Sequence, residues 1–176
     1  MRQDLRPYSV KRLHRLIERA WVEHFIAPQL DALGSHYQIM RPWHLKIHGA
    51  NIRIGESPHI ICARDRRVTL TSWHYEEHQG HIDIGDYCLV CPGVRLDSAC
   101  RIEIGSNTML ASSAYITDAD WHDLYDRSQP IGRCGPVVLG DNVWIGDSAI
   151  VCKGVTIGEN SIIGAQHHRG RCGGGQ

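Results

Sequence analysis

The chain has 176 residues, enough for one domain with a sizeable core. Its 19 basic and 19 acidic residues balance, which speaks against a nucleic-acid-binding protein, usually rich in excess basic charge. Eighteen glycines beside one phenylalanine suit a coil of small turns better than a bulky globular core, and no apolar run approaches the roughly 20 residues of a membrane-spanning helix.

Residues 8–33 carry a helical pattern. Val10, Leu13, Leu16, Ile17, Ala20, Trp21, Phe25 and Leu30 fall mostly on one face, with Arg and Glu opposite. Pro28 is expected to kink or end this helix. Its apolar face is expected to pack on the end of the following domain or on a neighbouring subunit. Arg2, Arg6, Lys11, Arg12, Arg15 and Arg19 beside Trp21 and Phe25 make peripheral membrane contact the alternative. These charges also interrupt any signal-peptide core, so cytoplasmic residence is the expectation. Residues 1–40 are therefore read as an N-terminal helical segment.

From about residue 41 the period changes. The tetrapeptide Ile-x-Ile-Gly, with conservative variants, recurs at 52–55, 82–85, 102–105, 137–140 and 155–158. The steps are 30, 20, 35 and 18 residues. Eighteen is three hexads, one triangular coil, so the longer steps are coils with insertions. The first insertion falls near 63–81 and the largest near 117–137. The phase is clearest at the end. Leu139, Ile145, Val151, Ile157 and Ile163 recur every six residues, four of them followed by Gly140, Gly146, Gly158 and Gly164. Small or β-branched residues stand four places on, at Val143, Ala149, Val155 and Ser161. A short period that buries one aliphatic per hexad, and regains phase after each interruption, implies an all-β solenoid of parallel strands over 41–165. At 166–176 the phase stops: position 169 is arginine, and the chain reads as an irregular, glycine-rich tail.

Seven cysteines raise a metal or disulfide reading, and Cys88 with Cys91 forms C-x-x-C. The hexad phase puts Cys88 and Cys100 at small buried positions and Cys91 and Cys152 where glycine usually stands. No second C-x-x-C completes a four-ligand set, so free thiols and no metal are expected.

The 117–137 insertion holds Asp118, Asp120, His122, Asp123 and Asp126 around Trp121. A loop thrust from a rigid solenoid is a common place for function. Histidine accepts a proton near neutral pH, and a neighbouring carboxylate can fix its tautomer. Acyl transfer to a hydroxyl needs such a base. The plainer alternative is a loop histidine satisfied by its own aspartates. Asp97, in the turn region below the loop, is a candidate ligand for an acceptor hydroxyl.

The hexad aliphatic-Gly-x-x-small-x over 47–164 resembles the left-handed parallel β-helix of the hexapeptide-repeat acyltransferases. The likeness is most specific over 136–165, which is similar to the galactoside, maltose and nodulation-factor O-acetyltransferase group. The resemblance implies a left-handed solenoid, a homotrimer with sites between subunits, and acetyl-CoA as acyl donor to a small-molecule acceptor, a sugar or glycan-precursor hydroxyl. It implies that His122 is the catalytic base, and Asp120 or Asp118 is the expected orienting partner. It implies that Trp144 walls the donor groove and that the backbones of Asp147 and Ala165 meet CoA. Cys91 stands roughly where sugar acetyltransferases carry an asparagine near the acceptor. Two other functions fit the same solenoid: a non-catalytic trimeric scaffold, and a metalloenzyme like the γ-class carbonic anhydrases, for which His74, His78 and His81 are the candidate ligands.

Overall fold

The computed structural model describes residues 7–75, 78–123, 125–128 and 132–165. The tail read as irregular at 166–176, and Arg2 and Arg6, lie outside them.

Strands alternate burial every second residue, and every sixth residue the chain turns a corner. The result is a three-sided prism of parallel strands, a left-handed parallel β-helix with an N-terminal α-helix. The first face stacks Ala32–Leu33, Ile52–Ile54, Ile82–Ile84, Ile102–Ile104, Val137–Leu139 and Thr156–Ile157. The second stacks Gln38–Met40, His59–Ile61, Leu89–Val90, Met109–Leu110, Trp144–Ile145 and Ile162–Ile163. The third stacks Leu45–His48, Val68–Ser72, Arg95–Ser98, Tyr115–Thr117 and Ile150–Val151. Like aliphatics sit directly over one another: Ile54 pairs with Ile84, Ile84 with Ile104, Ile104 with Leu139, and Leu139 with Ile157. These inward side chains are the core, and Ile52, Ile82, Leu96, Ile102, Leu110, Ile116 and Ile145 are fully buried. Each contributes about 1.5–3 kcal/mol relative to an exposed side chain.

The corners require left-handed backbone. Asn107, Asn142 and Asn160 hold φ of 57°, 56° and 59° at successive turns between the first and second faces. Asparagine tolerates this region because its short amide bonds locally. Here the amides also form a ladder. Asn107 Nδ2 donates to Asn142 Oδ1 at 3.0 Å, and Asn142 Nδ2 donates to Asn160 Oδ1 at 2.8 Å.

The N-terminal helix α1 spans Tyr8–Trp21 and runs into a wide turn, Val22–Ile26, and a tight one, Ala27–Gln29. Pro28 lies in that last turn, and Leu30 is already extended. The expected packing of the whole apolar face does not occur within the chain. Val22 and Ile26 are buried, while Val10, Leu13, Leu16, Ile17, Trp21 and Phe25 remain exposed. The helix is held by its C-terminal turns and by Glu18, whose carboxylate accepts from the Arg41 backbone N–H at 2.7 Å.

Two boundaries differ from the sequence reading. Leu33 pairs with Ile54 and Ile39 with Ile60, so residues 32–40 already belong to the first coil. Two-residue strands are too short to announce themselves by periodicity. The first insertion is also divided. Pairing of Ile60 with Val90 and Leu70 with Leu96 leaves extra residues at the corner 63–67. The remainder forms a small antiparallel hairpin, His74–Tyr75 with His78–Gln79. That hairpin and the 118–136 loop both leave the corner between the third and first faces.

Candidate active site

Strand alternation on the third face turns Leu70, Leu96 and Ile116 inward, and so turns Thr71, Arg95, Asp97, Tyr115 and Thr117 outward. Arg95 lies across the Tyr115 ring at 4.4 Å, donates to the Tyr115 hydroxyl at 3.2 Å, and pairs with the Asp97 carboxylate. Asp97 is 5% exposed, and its hydrogen bond is the first cause holding the Arg95 guanidinium above its ordinary value. The loop folds back onto this layer through Trp121. Its indole N–H sits 3.1 Å from Thr117 Oγ1 and 3.3 Å from the Tyr115 hydroxyl, and its ring packs on Trp73 at 5.8 Å. Asp97 is therefore a buried, ion-paired carboxylate rather than an open turn aspartate. This layer is the part that periodic reading overlooked. The alternation in V-R-L-D and Y-I-T was its available signal, since both segments are two-faced strands.

The loop neck is narrow. Asp120 N–H donates to the Arg133 carbonyl at 2.8 Å, Gly132 N–H donates to the Asp120 carbonyl at 2.7 Å, and Ala119 bridges Cys134. Gly132 permits the close approach, because a Cβ there would lie 2.7 Å from the His122 carbonyl oxygen. His122 follows the Trp121 anchor directly and is exposed. Its main chain is thus fixed on both sides while its imidazole faces solvent.

The acidic residues expected around His122 have other partners. Asp118 is fully buried and accepts from Ser98 Oγ at 2.6 Å, Ala99 N–H at 2.7 Å and Cys100 N–H at 2.9 Å. It ties the loop to the coil before it. Asp120 Oδ1 accepts from Lys153 Nζ at 2.6 Å, so the expected orienting partner of His122 is ion-paired to the following coil instead. Asp123 Oδ1 accepts from the backbone N–H groups of Tyr125 and Asp126, and Asp126 Oδ1 from that of Ser128.

The expected donor-side residues gather on a different side of the prism. Trp144 pairs with Ile162 on the second face and is 45% exposed, giving an apolar wall. Asp147 lies at the next corner, where it accepts from Ser148 Oγ at 2.9 Å. Ala165 is exposed, and its backbone nitrogen would lie 2.6 Å from a Cβ on Gly146, so glycine is required there for the coils to close. Cys91 sits at the corner shared with Asp147. Burial raises its thiol above the ordinary value, and the Asp147 charge adds to this. Within one chain, then, Trp144, Asp147, Ala165 and Cys91 cluster on and beside the second face. Asp97, Asp120 and His122 cluster on the third face and its far corner.

His74, His78 and His81 do not converge. His74 Nε2 lies 3.1 Å from Asn51 Nδ2, and His78 Nδ1 lies 3.7 Å from Cys134 Sγ. Among the described residues no group of three or more His, Cys, Asp or Glu is placed to hold a metal ion.

Comparison with known proteins gives a consistent picture. The family model "Bacterial transferase hexapeptide (six repeats)" matches residues 136–166. The Escherichia coli K12 protein named "Putative colanic acid biosynthesis acetyltransferase WcaF" is 25% identical over 167 residues, 93% of this chain and 84% of that one. The "Probable acetyltransferase Rv3034c" of Mycobacterium tuberculosis is 33% identical over 164 residues, covering 90% of this chain and half of the relative. Among solved structures, a point mutant of AntD, a Bacillus cereus N-acyltransferase in complex with dTDP-4-amino-4,6-dideoxyglucose and coenzyme A, superposes with a TM-score of 0.62. It is 21% identical, over 81% of this chain and 75% of that one, a likeness of fold.

Proposed function

Because residues 136–166 match the hexapeptide-repeat transferase model and most of the chain is similar to proteins named as acetyltransferases, we propose that it is a left-handed β-helix acyltransferase that moves an acetyl group from acetyl-CoA to a hydroxyl of a sugar or glycan precursor. The observation that carries the reading is His122: an exposed imidazole on a loop whose backbone is anchored by Trp121 on one side and by the Asp120–Arg133 neck on the other. A base held this way loses little freedom on binding an acceptor. The name of the Escherichia coli relative refers to colanic acid biosynthesis, which supports an acceptor of the glycan-precursor kind.

Acetyl-CoA supplies an acyl group already activated as a thioester. His122 takes the acceptor hydroxyl proton as the hydroxyl oxygen bonds to the acyl carbon, and returns it to the departing sulfur. No bond to the protein forms, so no nucleophilic serine or cysteine is required. Trp144 offers an apolar surface for the extended donor arm, and the Asp147 and Ala165 backbones stand beside it with polar groups. Asp97, held by Arg95, shapes the acceptor side, and Cys91 borders the donor side. Asp120 acts on His122 through the loop neck, with its charge balanced by Lys153. The donor wall and His122 lie on different sides of one prism. A second copy of the chain must therefore bring Trp144 to the loop, and a trimer closes such a contact symmetrically.

The test is acetyl-CoA turnover, read as free thiol release, across a panel of sugar hydroxyl and amino-sugar acceptors. Wild type is expected to turn over on hydroxyl acceptors, and His122→Ala to fall by about 10²–10⁴-fold in kcat with CoA affinity kept. Equal background rates in both would overturn the reading and leave the trimeric scaffold.

A further inference from the structure

One side-chain cluster has no part in acyl transfer. Cys100 sits where the chain turns from the third face to the first, one coil before the loop, with its backbone N–H on Asp118. Cys134 lies on the returning limb of the loop, bridged to Ala119. The two thiols line one cavity although 34 positions separate them in sequence. His78, carried by the small hairpin of the coil below, approaches Cys134 Sγ with its Nδ1 at 3.7 Å. These three side chains, with Gln79 and Ala99, line a cavity of about 250 Å³. Both thiols are half-buried and face that cavity, whereas Cys62 and Cys88 are buried in the prism. Three separate excursions of the chain thus converge on two thiols and one base.

We propose that Cys100 and Cys134 form a redox-active dithiol, a modification site for low-molecular-weight disulfides such as glutathione disulfide, with His78 taking the Cys134 proton. The Cys134 thiolate attacks one sulfur of glutathione disulfide. That S–S bond breaks, a mixed disulfide forms on Cys134, and the first glutathione leaves with the proton held by His78. Cys100 then attacks the Cys134 sulfur and the second glutathione leaves with the Cys100 proton. Two protein thiols are oxidised to one disulfide, and one glutathione disulfide is reduced to two glutathiones. The division of roles follows from the surroundings. Burial, reinforced by Cys134, pushes the Cys100 thiol up to about 11, which makes it a poor first attacker. It nonetheless lines the same small cavity as the sulfur it must attack second, where the pair would close to an S–S bond of about 2.05 Å. The disulfide would join the neck of the His122 loop to the coil that carries Asp97, sealing the loop into a covalent ring.

The experiment exposes the full-length reduced protein to glutathione disulfide without oxygen, quenches with acid and alkylating agent, and maps peptides by mass. It needs no acceptor and no turnover, so its outcome is independent of the acyltransferase assignment. Expected is a loss of two hydrogens and a Cys100–Cys134 cross-linked peptide, formed before any adduct on the exposed Cys152. Cys100→Ser should stop at a single glutathione on Cys134, and His78→Ala should slow the reaction about tenfold or more while leaving thermal melting of the reduced protein unchanged. Adducts at Cys152 with Cys100 and Cys134 still reduced would overturn the proposal. So would a stoichiometric bound zinc that shields both thiols until a chelator removes it, since the cluster would then be a metal site.

Discussion

Four aspartates share the His122 loop, and their surroundings separate their roles. Asp118 is buried and takes three donors, two of them backbone N–H groups. Asp120 shares an exposed ion pair with Lys153. Asp123 and Asp126 close local turns. Asp118→Ala would leave the Ser98, Ala99 and Cys100 donors without their acceptor, each costing about 1–3 kcal/mol if water does not replace it. The expected loss in urea unfolding is about 3 kcal/mol or more. Asp120→Asn removes a solvent-screened pair, for which about 0–1 kcal/mol is expected in the same measurement. Similar losses from both substitutions would contradict this division. Nothing in the string T-D-A-D-W-H-D distinguishes the two residues, since burial arises only when Asp118 is folded against residues 98–100.

At the scale of elements, the repeated corner is a local device with a long-range partner. Asn142 holds left-handed backbone and also links Asn107 to Asn160 across two coils. Asn142→Ala should destabilise by about 1–2 kcal/mol in urea unfolding, the strain of a Cβ in that region. Asn142→Gly should recover most of it, because glycine enters the same region without strain. If glycine were as damaging as alanine, the amide ladder and not the backbone would carry the effect. The coil phase was legible because one aliphatic per hexad must point inward whatever else the chain does. The split of the first insertion was not, because a corner loop and a hairpin of two-residue strands have too few residues for any period. The N-terminal helix shows the opposite limit. Its amphipathic pattern correctly marked a helix, but pattern alone does not say what covers the apolar side, and within this chain most of that side is open.

For the whole molecule, the separation of Trp144 from His122 on different sides of the prism leads to a mixing prediction. Trp144→Ala and His122→Ala chains, each impaired alone, should regain part of the wild-type rate when unfolded together and refolded, because some mixed interfaces then hold one intact copy of each residue. Sedimentation of the wild type should give a trimer. Failure to regain activity by a mixed trimer would place both residues in a site within one chain. The described residues contain no helix long and apolar enough to cross a membrane.

Sequence alone determined the hexad phase, the place of the largest interruption, and the histidine displayed on it. Each follows from short-range steric demands: an inward aliphatic every sixth residue, and small or left-handed residues at every corner. Tertiary structure decided which charges are spent on architecture and which groups stay available. It buried Asp118, paired Asp120 with Lys153 and Asp97 with Arg95, and brought Cys100, Cys134 and His78 to one cavity. Those outcomes depend on which coil stacks on which, a contact between residues tens of positions apart. The hexad fixes that stacking for its buried aliphatics and leaves the insertions free to find partners of their own.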